Sequence, residues 1–363
     1  MSSNVEPLVS VVLVSYNTRE LTLKNLAGLQ AGTAVPIEII VVDNASTDNS
    51  AAAIAHAYPE VRVLRQPENL GFGNAVNLGA ARATGRWILL INPDTEPIGD
   101  VIRTLVEYAG GHPEHRIYTG RTLRADHTDD GHSVHALPSL WGYVCFATGL
   151  SSLRRQSPLF NPDELPGLDR AIGGEVPAVS GCLLLIDRPL WQQLGGFTPD
   201  YFMYSEDIDL SARARDLGAR PVLVPEAQLL HVGGAASSTV NKRIMVLRGK
   251  TTFVRLRWSP GRAKLARLLI SAGVLVRAAA GAGWRDVWRQ RASWLDGWPA
   301  PAGSPLIPAQ SLPAPISAVP SSPASASPAS ASASASASPA SASASPASAS
   351  SDSASRRSGL AQP

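Results

Sequence analysis

Apolar runs alternate with helix-like segments along the first hundred residues. The runs are rich in β-branched side chains, which is typical of strands covered on both faces of a sheet. The segments between them show helical spacing of leucines, or a polar start followed by alanines. Strands are predicted at 8–15, 37–43, 61–65 and 87–92, and helices at 19–29, 46–58 and 73–83. This order predicts an α/β fold with a mainly parallel sheet flanked by helices.

The pattern weakens over 112–175, where His, Asp, Gly and Pro cluster without clear periodicity. Such a long irregular stretch is more often functional than accidental. Regular elements return with a strand at 178–186, helices at 188–194 and 206–217, and a short strand at 221–224. In open sheets of this type, ligands bind beyond the carboxyl ends of the strands, so polar residues at those ends are the candidates for chemistry.

Composition divides the chain into three regions. Residues 1–240 form the predicted α/β domain, 241–298 a basic helical extension, and 299–363 a Pro/Ala/Ser-rich tail expected to be disordered, since it buries too little apolar surface to fold. The two cysteines, Cys145 and Cys182, suit a reducing cytosol and argue against a disulfide scaffold. No secretory signal is expected at the start, and no apolar run reaches the roughly 18 residues of a membrane-spanning helix.

The formal net charge of +3 is unevenly distributed. Residues 1–240 hold 17 basic and 26 acidic side chains, whereas 241–298 hold 13 basic and 2 acidic ones. The second segment also carries five of the eight tryptophans, and 265–276 is an apolar run beside arginines. Arg and Trp flanking an apolar face favour a helix that lies on an anionic membrane surface. A helical extension packed on the α/β domain is the alternative, and no motif supports a nucleic-acid partner.

Carboxylates follow two of the predicted strands. Asp94, in Asn92-Pro93-Asp94-Thr95, comes directly after the strand at 87–92. It could hold a divalent cation that bridges two phosphates, or it could simply close a turn. Asp43 ends the strand at 37–43 and could accept hydrogen bonds from a base or a ribose. Its alternative is again a turn, formed by the Asp-Asn-Ala-Ser sequence.

A further acidic pair, Glu206 and Asp207, opens the helix predicted at 206–217. One of these carboxylates could act as a general base, held in place by the rigid start of the helix. Alternatively, Ser205 caps the helix and the acidic pair favours the positive end of its dipole. His231 follows an apolar run and is either a ligand for a divalent metal or a structural histidine.

Gly71-Phe72-Gly73 provides half of a dinucleotide-binding fingerprint. The third glycine is missing, and the motif does not lie in the first strand-to-helix turn. A Rossmann dehydrogenase is therefore excluded.

Short motifs recur in order from the first strand to His231, at 9–17 (VSVVLVSYN), 40–48 (IVVDNASTD), 68–73 (ENLGFG), 92–95 (NPDT), 180–182 (SGC), 195–197 (GGF) and 205–207 (SED). In this combination they resemble the family 2 glycosyltransferases, and the bacterial rhamnosyltransferase-like branch is the best match. The resemblance covers about residues 8–235.

The resemblance implies a GT-A fold and inverting transfer of a sugar from a nucleoside diphosphate donor. The residues it assigns to donor binding are Ser15, Tyr16, Asn17, Asp43, Asn44, Asn69, Gly71 and Asn92. Asp94 matches the second acidic position of the family's DxD motif for Mg²⁺ or Mn²⁺, and His231 matches a metal ligand of some relatives. Asn92 replaces the first acidic position, which leaves one anionic ligand fewer. Asp207 matches the general base, with Glu206 or Asp209 as less favoured candidates.

The motifs leave the substrates open. The branch favours dTDP-rhamnose, with UDP-galactofuranose and UDP-GlcNAc as alternatives. The acceptor is expected to be a polyprenyl-diphosphate-linked sugar or a cell-envelope glycan, reached by a protein that associates through 241–298 with the cytoplasmic face of the cell membrane. A second hypothesis is a non-catalytic module that binds a sugar nucleotide or a membrane. Asn92 supports it, whereas Asp94, Asp207 and His231 argue against it.

Overall fold

The alternation of strands and helices predicted for the N-terminal part is confirmed in a computed structural model, which describes residues 6–231 and 239–300. The elements are β1 (Val9–Ser15), α1 (Arg19–Gly32), β2 (Ile37–Asp43), α2 (Ser50–Ala57), β3 (Arg62–Arg65), α3 (Phe72–Ala80) and β4 (Trp87–Ile91). Strands β1 and β4 are buried along their whole length, because their side chains are covered on both faces of the sheet. Helix α2 begins at Ser50, four residues later than predicted. The residues before it form a turn in which the Ser50 N–H donates to Asp48 Oδ1 at 3.0 Å.

The following part contains more regular structure than its sequence predicted. Its elements are β5 (Thr95–Ile98), α4 (Val101–Gly111), β6 (Ile117–Leu123), β7 (Val134–His135), α5 (Leu140–Thr148), α6 (Leu150–Leu153), β8 (Gly174–Glu175), β9 (Ala178–Val179), β10 (Leu183–Asp187), α7 (Arg188–Leu194), α8 (Glu206–Asp216) and β11 (Val222–His231). The single strand predicted at 178–186 is wrong, because β9 pairs with β7 and β10 belongs to the main sheet. The strand predicted at 221–224 extends to His231, since its second half pairs with β5 and β6.

Within the described residues, nine strands form the main sheet in the order β3-β2-β1-β4-β10-β6-β11-β5, with β8 paired to β11. Strands β1 to β4 are parallel, and so are β6 and β11, whereas β10 runs antiparallel to both of its neighbours. Hydrophobic clusters cover both faces of the sheet. Because β1, β2 and β4 are parallel neighbours, their carboxyl ends open at one edge of the sheet.

The basic segment is helical and packs against the rest of the protein. It forms α9 (Thr239–Arg257), α10 (Pro260–Ala280) and α11 (Ala282–Arg289), which build a further hydrophobic cluster with α5. The indole N–H groups of Trp294 and Trp298, both buried, donate to the backbone oxygens of Val287 and Met203, each at 3.0 Å. These two tryptophans therefore belong to the core. The composition of the segment had instead favoured tryptophans at a membrane surface, with packing on the α/β domain as the alternative.

The boundary predicted between 240 and 241 stays a prediction. The described residues all fall in one compact unit. Most of the predicted tail, 301–363, lies outside the described residues. In the part of the chain that the structure describes, no helix combines the length and the apolar character needed to cross a membrane.

Candidate active site

The ends of β1 and β2 create a buried polar position at Asp43. Ser15 and Asp43, the last residues of the two strands, are register partners, and the Asn44 N–H donates to the Ser15 carbonyl at 2.8 Å. The Asp43 side chain is 5% exposed, and its Oδ1 has no hydrogen-bond partner among the described residues. A buried carboxylate oxygen without a partner is unfavourable unless a ligand satisfies it. Asp43 can therefore accept a hydrogen bond from a bound nucleoside.

The next two predicted donor-binding residues, Asn44 and Asn69, hold each other and the loop that precedes α3. Asn44 Nδ2 donates to Asn69 Oδ1 at 2.9 Å and to the Gly71 carbonyl at 3.2 Å, while Asn44 Oδ1 accepts from the Leu70 N–H at 2.9 Å. Gly71 has φ +81°, and a Cβ there would lie 2.2 Å from the Phe202 carbonyl oxygen. Only glycine suits this conformation and this close approach. These residues fix the turn before α3 and join it to the segment before α8.

Tyr16 and Asn17 follow directly after β1, whose last residue pairs with Asp43. The Tyr16 side chain is 48% exposed. Asn17 adopts a left-handed backbone conformation with φ 54°, and its Oδ1 accepts from the Thr47 N–H at 2.8 Å. Its backbone N–H donates to the Ser46 hydroxyl at 3.0 Å. Asn17 therefore fixes the loop after β2, and Tyr16 is free to contact a ligand from the solvent side.

Asp94 and His231 meet, as the family resemblance implied, because Thr95 and His231 are register partners in the β5–β11 ladder. His231 Nε2 lies 3.4 Å from Asp94 Oδ2. On its other side, His231 Nδ1 lies 2.9 Å from Asp130 Oδ2. Asp130 was not predicted, and it belongs to the irregular stretch of 112–175.

Asp130 and His231 form a charged pair. Burial alone would raise the pKa of Asp130, but hydrogen bonds from His231, the Thr122 hydroxyl and the His132 N–H outweigh it and lower the pKa to about 2. Hydrogen bonds to Asp130 and Asp94 raise the pKa of His231 to about 9 against the opposing effect of burial. Asp130 thus orients the imidazole and leaves Nε2 facing Asp94, as carboxylates behind metal-binding histidines do.

The donor set at this position fits part of a divalent metal site. Asp94 Oδ1 is buried without a hydrogen-bond partner among the described residues, so it is available to a cation. One carboxylate and one imidazole suit Mn²⁺ or Mg²⁺ as a partial ligand set. Because an imidazolium cannot coordinate a metal, binding here would require His231 to release its Nε2 proton. Over 6–231 and 239–300, no three His, Cys, Asp or Glu side chains are grouped to hold a metal by themselves. Asn92, two residues before Asp94, adds no anionic ligand to this pair.

Asp207, the predicted base, is held ionised at the start of α8. Its Oδ2 lies 3.5 Å from His135 Nε2 and accepts from the Gly181 N–H at 3.0 Å. Its Oδ1 accepts from the Ile208 N–H at 2.8 Å. Burial would raise the pKa of Asp207, but the charge and hydrogen bond of His135 and these two backbone donors lower it. His135 is a second functional candidate that the sequence reasoning missed.

Glu206 has the opposite environment. It is buried, and its Oε2 has no hydrogen-bond partner among the described residues. Burial, together with the charge of Asp207, raises the pKa of Glu206 to about 8, so the side chain is neutral at pH 7. Ser205 does not cap the helix through its side chain, because its backbone is left-handed with φ 74°. The interpretation of Ser205 as a side-chain cap is therefore wrong, whereas the acidic pair does lie in the first turn of α8, as the same interpretation had it. Of the two carboxylates, the ionised Asp207 is the one able to accept a proton.

The Gly181-Cys182 segment before β10 contacts both groups of carboxylates or their neighbours, since the Gly181 N–H donates to Asp207 and the Cys182 carbonyl accepts from the Asn92 N–H at 3.0 Å. Burial raises the pKa of the Cys182 thiol, and the charges of Asp94, Asp130 and Asp207 raise it further. Strand β10 thus brings the Asp94–His231 pair and the Asp207–His135 pair to one region. This region could therefore stabilise an anionic leaving group near Asp94 and His231 and accept the proton of an attacking hydroxyl at Asp207.

Comparisons with known proteins agree with this geometry. The model of the glycosyl transferase family 2 matches residues 10–193. The N-acetylglucosaminyl-diphospho-decaprenol L-rhamnosyltransferase of Mycobacterium tuberculosis is 31% identical over 238 residues, which cover 62% of this chain and 76% of that protein. The succinoglycan biosynthesis protein ExoO of Rhizobium meliloti is 33% identical over 104 residues, or 28% of this chain and 30% of that protein.

Solved structures support the fold at low sequence identity. The mannosyltransferase PcManGT of Pyrobaculum calidifontis, in complex with GDP-Man and Mn²⁺, superposes with a TM-score of 0.50 and 17% identity, over 81% of this chain and 86% of that one. GalNAc-T7 with UDP, GalNAc and Mn²⁺ superposes with a TM-score of 0.52 and 15% identity, over 80% of this chain and 55% of that one. The expected GT-A architecture is confirmed. The chain belongs to glycosyltransferase family 2, in its rhamnosyltransferase-like branch, and is a glycosyltransferase.

Proposed function

We propose that this enzyme transfers rhamnose from dTDP-rhamnose, with inversion, to a GlcNAc unit linked through diphosphate to a polyprenol. The mycobacterial relative's name supports rhamnose as the sugar and a lipid-linked GlcNAc as the acceptor, whereas dTDP as the nucleotide rests on the family resemblance. The observation that carries the chemistry is the position of Asp207, held ionised by His135, in the same region as Asp94 and His231.

The residues suggest a single displacement. Asp43 binds the nucleoside at the ends of β1 and β2, and the Asn44–Asn69 pair fixes the turn before α3. Asp207 accepts the proton of the acceptor hydroxyl as its oxygen bonds to the anomeric carbon. The bond from that carbon to the diphosphate oxygen breaks on the opposite face, so the configuration inverts and nucleoside diphosphate leaves. Asp94 and His231 would hold a divalent ion, which neutralises charge on the diphosphate when bound.

Association with the cytoplasmic face of the membrane is part of the proposal. One face of α10 packs inward through Ala263, Ile270 and Val274. Another presents an apolar stripe to solvent, formed by Leu265, Leu268, Leu275 and Val276. Two apolar faces on one helix, in a segment with 13 basic residues, support a helix that packs on the enzyme and contacts anionic lipid.

The test is release of nucleoside diphosphate from dTDP-rhamnose, UDP-galactofuranose and UDP-GlcNAc, with Mg²⁺ or Mn²⁺ and a polyprenyl-diphosphate-linked GlcNAc acceptor. We expect acceptor-dependent release from dTDP-rhamnose, with the Asp207→Asn variant as the control. Release from another donor instead would correct the sugar. Tight donor binding without any transfer would favour a non-catalytic sugar-nucleotide module.

A further inference from the structure

A cavity of about 330 Å³ lies among α5, α9, α10 and α11, and none of its lining residues is a predicted donor-binding residue. Its apolar wall is formed by Tyr143, Phe146, Val246, Leu247, Ile270 and Trp284. This volume is at the lower end of the range for sites that bind small organic molecules, about 300–1,000 Å³. The cavity can therefore take a short stretch of branched hydrocarbon.

Cationic side chains join this apolar wall from one face of α9. Lys242, Arg243 and Lys250 line the cavity at helical spacing with Val246 and Leu247. The Arg243 guanidinium lies 4.6 Å from the Trp284 ring, and Lys250 pairs with Asp163 at 3.0 Å. The lining is thus apolar inside and cationic along α9, which complements a molecule with a hydrocarbon body and an anionic end.

Tyr143 supplies an independent indication of a ligand. The residue is 2% exposed and lines the cavity, yet its hydroxyl has no hydrogen-bond partner among the described residues. A buried phenol without a partner is unfavourable. A phosphate oxygen in the cavity would accept the missing hydrogen bond.

The cationic side of the cavity lies within electrostatic range of the catalytic residues. Burial lowers the pKa of His135 and Asp207 raises it more strongly, while the charge of Lys250 acts against Asp207. Burial likewise lowers the pKa of His132, and the charge of Lys242 contributes to that lowering. The His132 ring lies 6.1 Å from the ring of His231. Lys242 and Lys250 are therefore close enough for their charges to act on the histidines beside the site of transfer.

We propose that this cavity binds the diphosphate-proximal isoprenoid units of the lipid acceptor, with Lys242, Lys250 and the Tyr143 hydroxyl contacting its diphosphate. The inference rests on the proposed function, because it names the part of the enzyme that recognises the acceptor lipid. It separates acceptor recognition on α9 from donor recognition at the ends of β1 and β2.

The first test is calorimetric titration of the full chain with farnesyl diphosphate, in the presence of saturating dTDP to occupy the donor site. We expect farnesol and inorganic pyrophosphate each to bind at least about tenfold more weakly, since each lacks one half of the recognised chemistry. Equal binding of pyrophosphate, or displacement of farnesyl diphosphate by dTDP, would overturn the proposal, because the probe would then occupy the donor site.

The second test uses matched variants in the same titration. Val246→Trp fills the cavity and should weaken farnesyl diphosphate binding by about tenfold or more. Lys242→Glu reverses an exposed charge without disturbing the core and should weaken it by about fivefold or more. The controls are Leu256→Trp, on an exposed part of α9, and Arg154→Glu, on an exposed loop; neither residue lines the cavity, and binding should stay within about twofold.

Unchanged binding by both Val246→Trp and Lys242→Glu would overturn the inference. The titration needs no turnover, so its result is independent of the transfer assay. Farnesyl diphosphate binding that depends on Val246 and Lys242 supports the cavity assignment even when the donor panel gives no transfer. Transfer by the wild type together with unaffected variants would overturn the cavity assignment alone and leave the proposed function standing.

Discussion

The donor half of the site and the basic helices are built in different ways. In the donor half, a residue's position in the sequence nearly determines its place, because Asp43 and Asp94 follow parallel strands whose ends share one edge. In the basic helices, one element carries inward-packing, cavity-lining and exposed apolar side chains. A polar residue after a strand therefore indicates a location, whereas an excess of Arg and Trp does not tell which face of a helix those residues occupy.

The largest effect is expected at the start of α8, where Glu206 and Asp207 lie side by side. Asp207→Asn should lower the rate of transfer by about 10²–10⁴-fold, since the ionised carboxylate is lost. The transfer rate of the Glu206→Gln variant should stay within about tenfold of the wild-type rate, because Glu206 is already neutral at pH 7. Initial rates at saturating donor, with dTDP binding measured in parallel, check both variants. A severe loss in Glu206→Gln beside an active Asp207→Asn would reverse the assignment.

Trp294 tests whether the basic helices belong to the folded core. It is 0% exposed, so Trp294→Ala should lower the free energy of unfolding by about 3–5 kcal/mol. The half-buried Trp288 is the matched control, and its replacement by Ala should cost clearly less. Urea denaturation measures both variants. Unchanged stability of Trp294→Ala with lost liposome binding would instead make the segment a surface attachment.

The exposed stripe of α10 tests the membrane proposal. The double variant Leu265→Glu with Leu268→Glu should reduce flotation with anionic liposomes by about tenfold or more, since each leucine contributes about 1.5–3 kcal/mol when buried. The free energy of unfolding of this double variant should change little, because Leu265 is 47% and Leu268 is 61% exposed. Point variants are needed here, since deleting 241–298 would remove Phe253 and Trp294 from the core.

A matched double variant controls that flotation experiment. Leu153 and Leu159 are also exposed but lie outside the basic helices. Their replacement by Glu adds the same charge and should leave flotation unchanged. An equal loss from both double variants would indicate a general charge effect, and the stripe on α10 would lose its assignment.

The pH dependence of stability tests the environment of Glu206. Its folded-state pKa, about 8, is above the unfolded value near 4.5, so unfolding releases a proton between those pH values. The wild type should therefore lose stability relative to Glu206→Gln as the pH rises, at about 1.4 kcal/mol per pH unit within this window. Urea midpoints of both proteins at pH 5, 6 and 7 measure the difference. Parallel profiles would contradict a buried neutral Glu206.

The sequence was sufficient where hydrophobic pattern and strand order determine geometry. It predicted the parallel strands. The meeting of Asp94 with His231 was implied by the family resemblance alone, because neither β5 nor the second half of β11, which bring these residues together, was predicted. The sequence did not predict Asp130 or His135, because they lie in an irregular stretch. Asp130 reaches His231 across 101 positions, and no spacing rule connects them. The clustered His and Asp residues of that stretch did indicate a functional region, but they did not show which residues Asp130 and His135 would contact.

Gly249 on α9 has a consequence for exchanging specificity between relatives. A Cβ at this position would lie 2.3 Å from the Tyr204 carbonyl oxygen and 2.8 Å from the Ser205 hydroxyl, directly before Glu206 and Asp207. Chimeras that graft helices α9 to α11 of one enzyme onto the α/β domain of another must keep glycine here. Otherwise the graft would displace the catalytic turn, and a change intended for lipid preference would act on turnover.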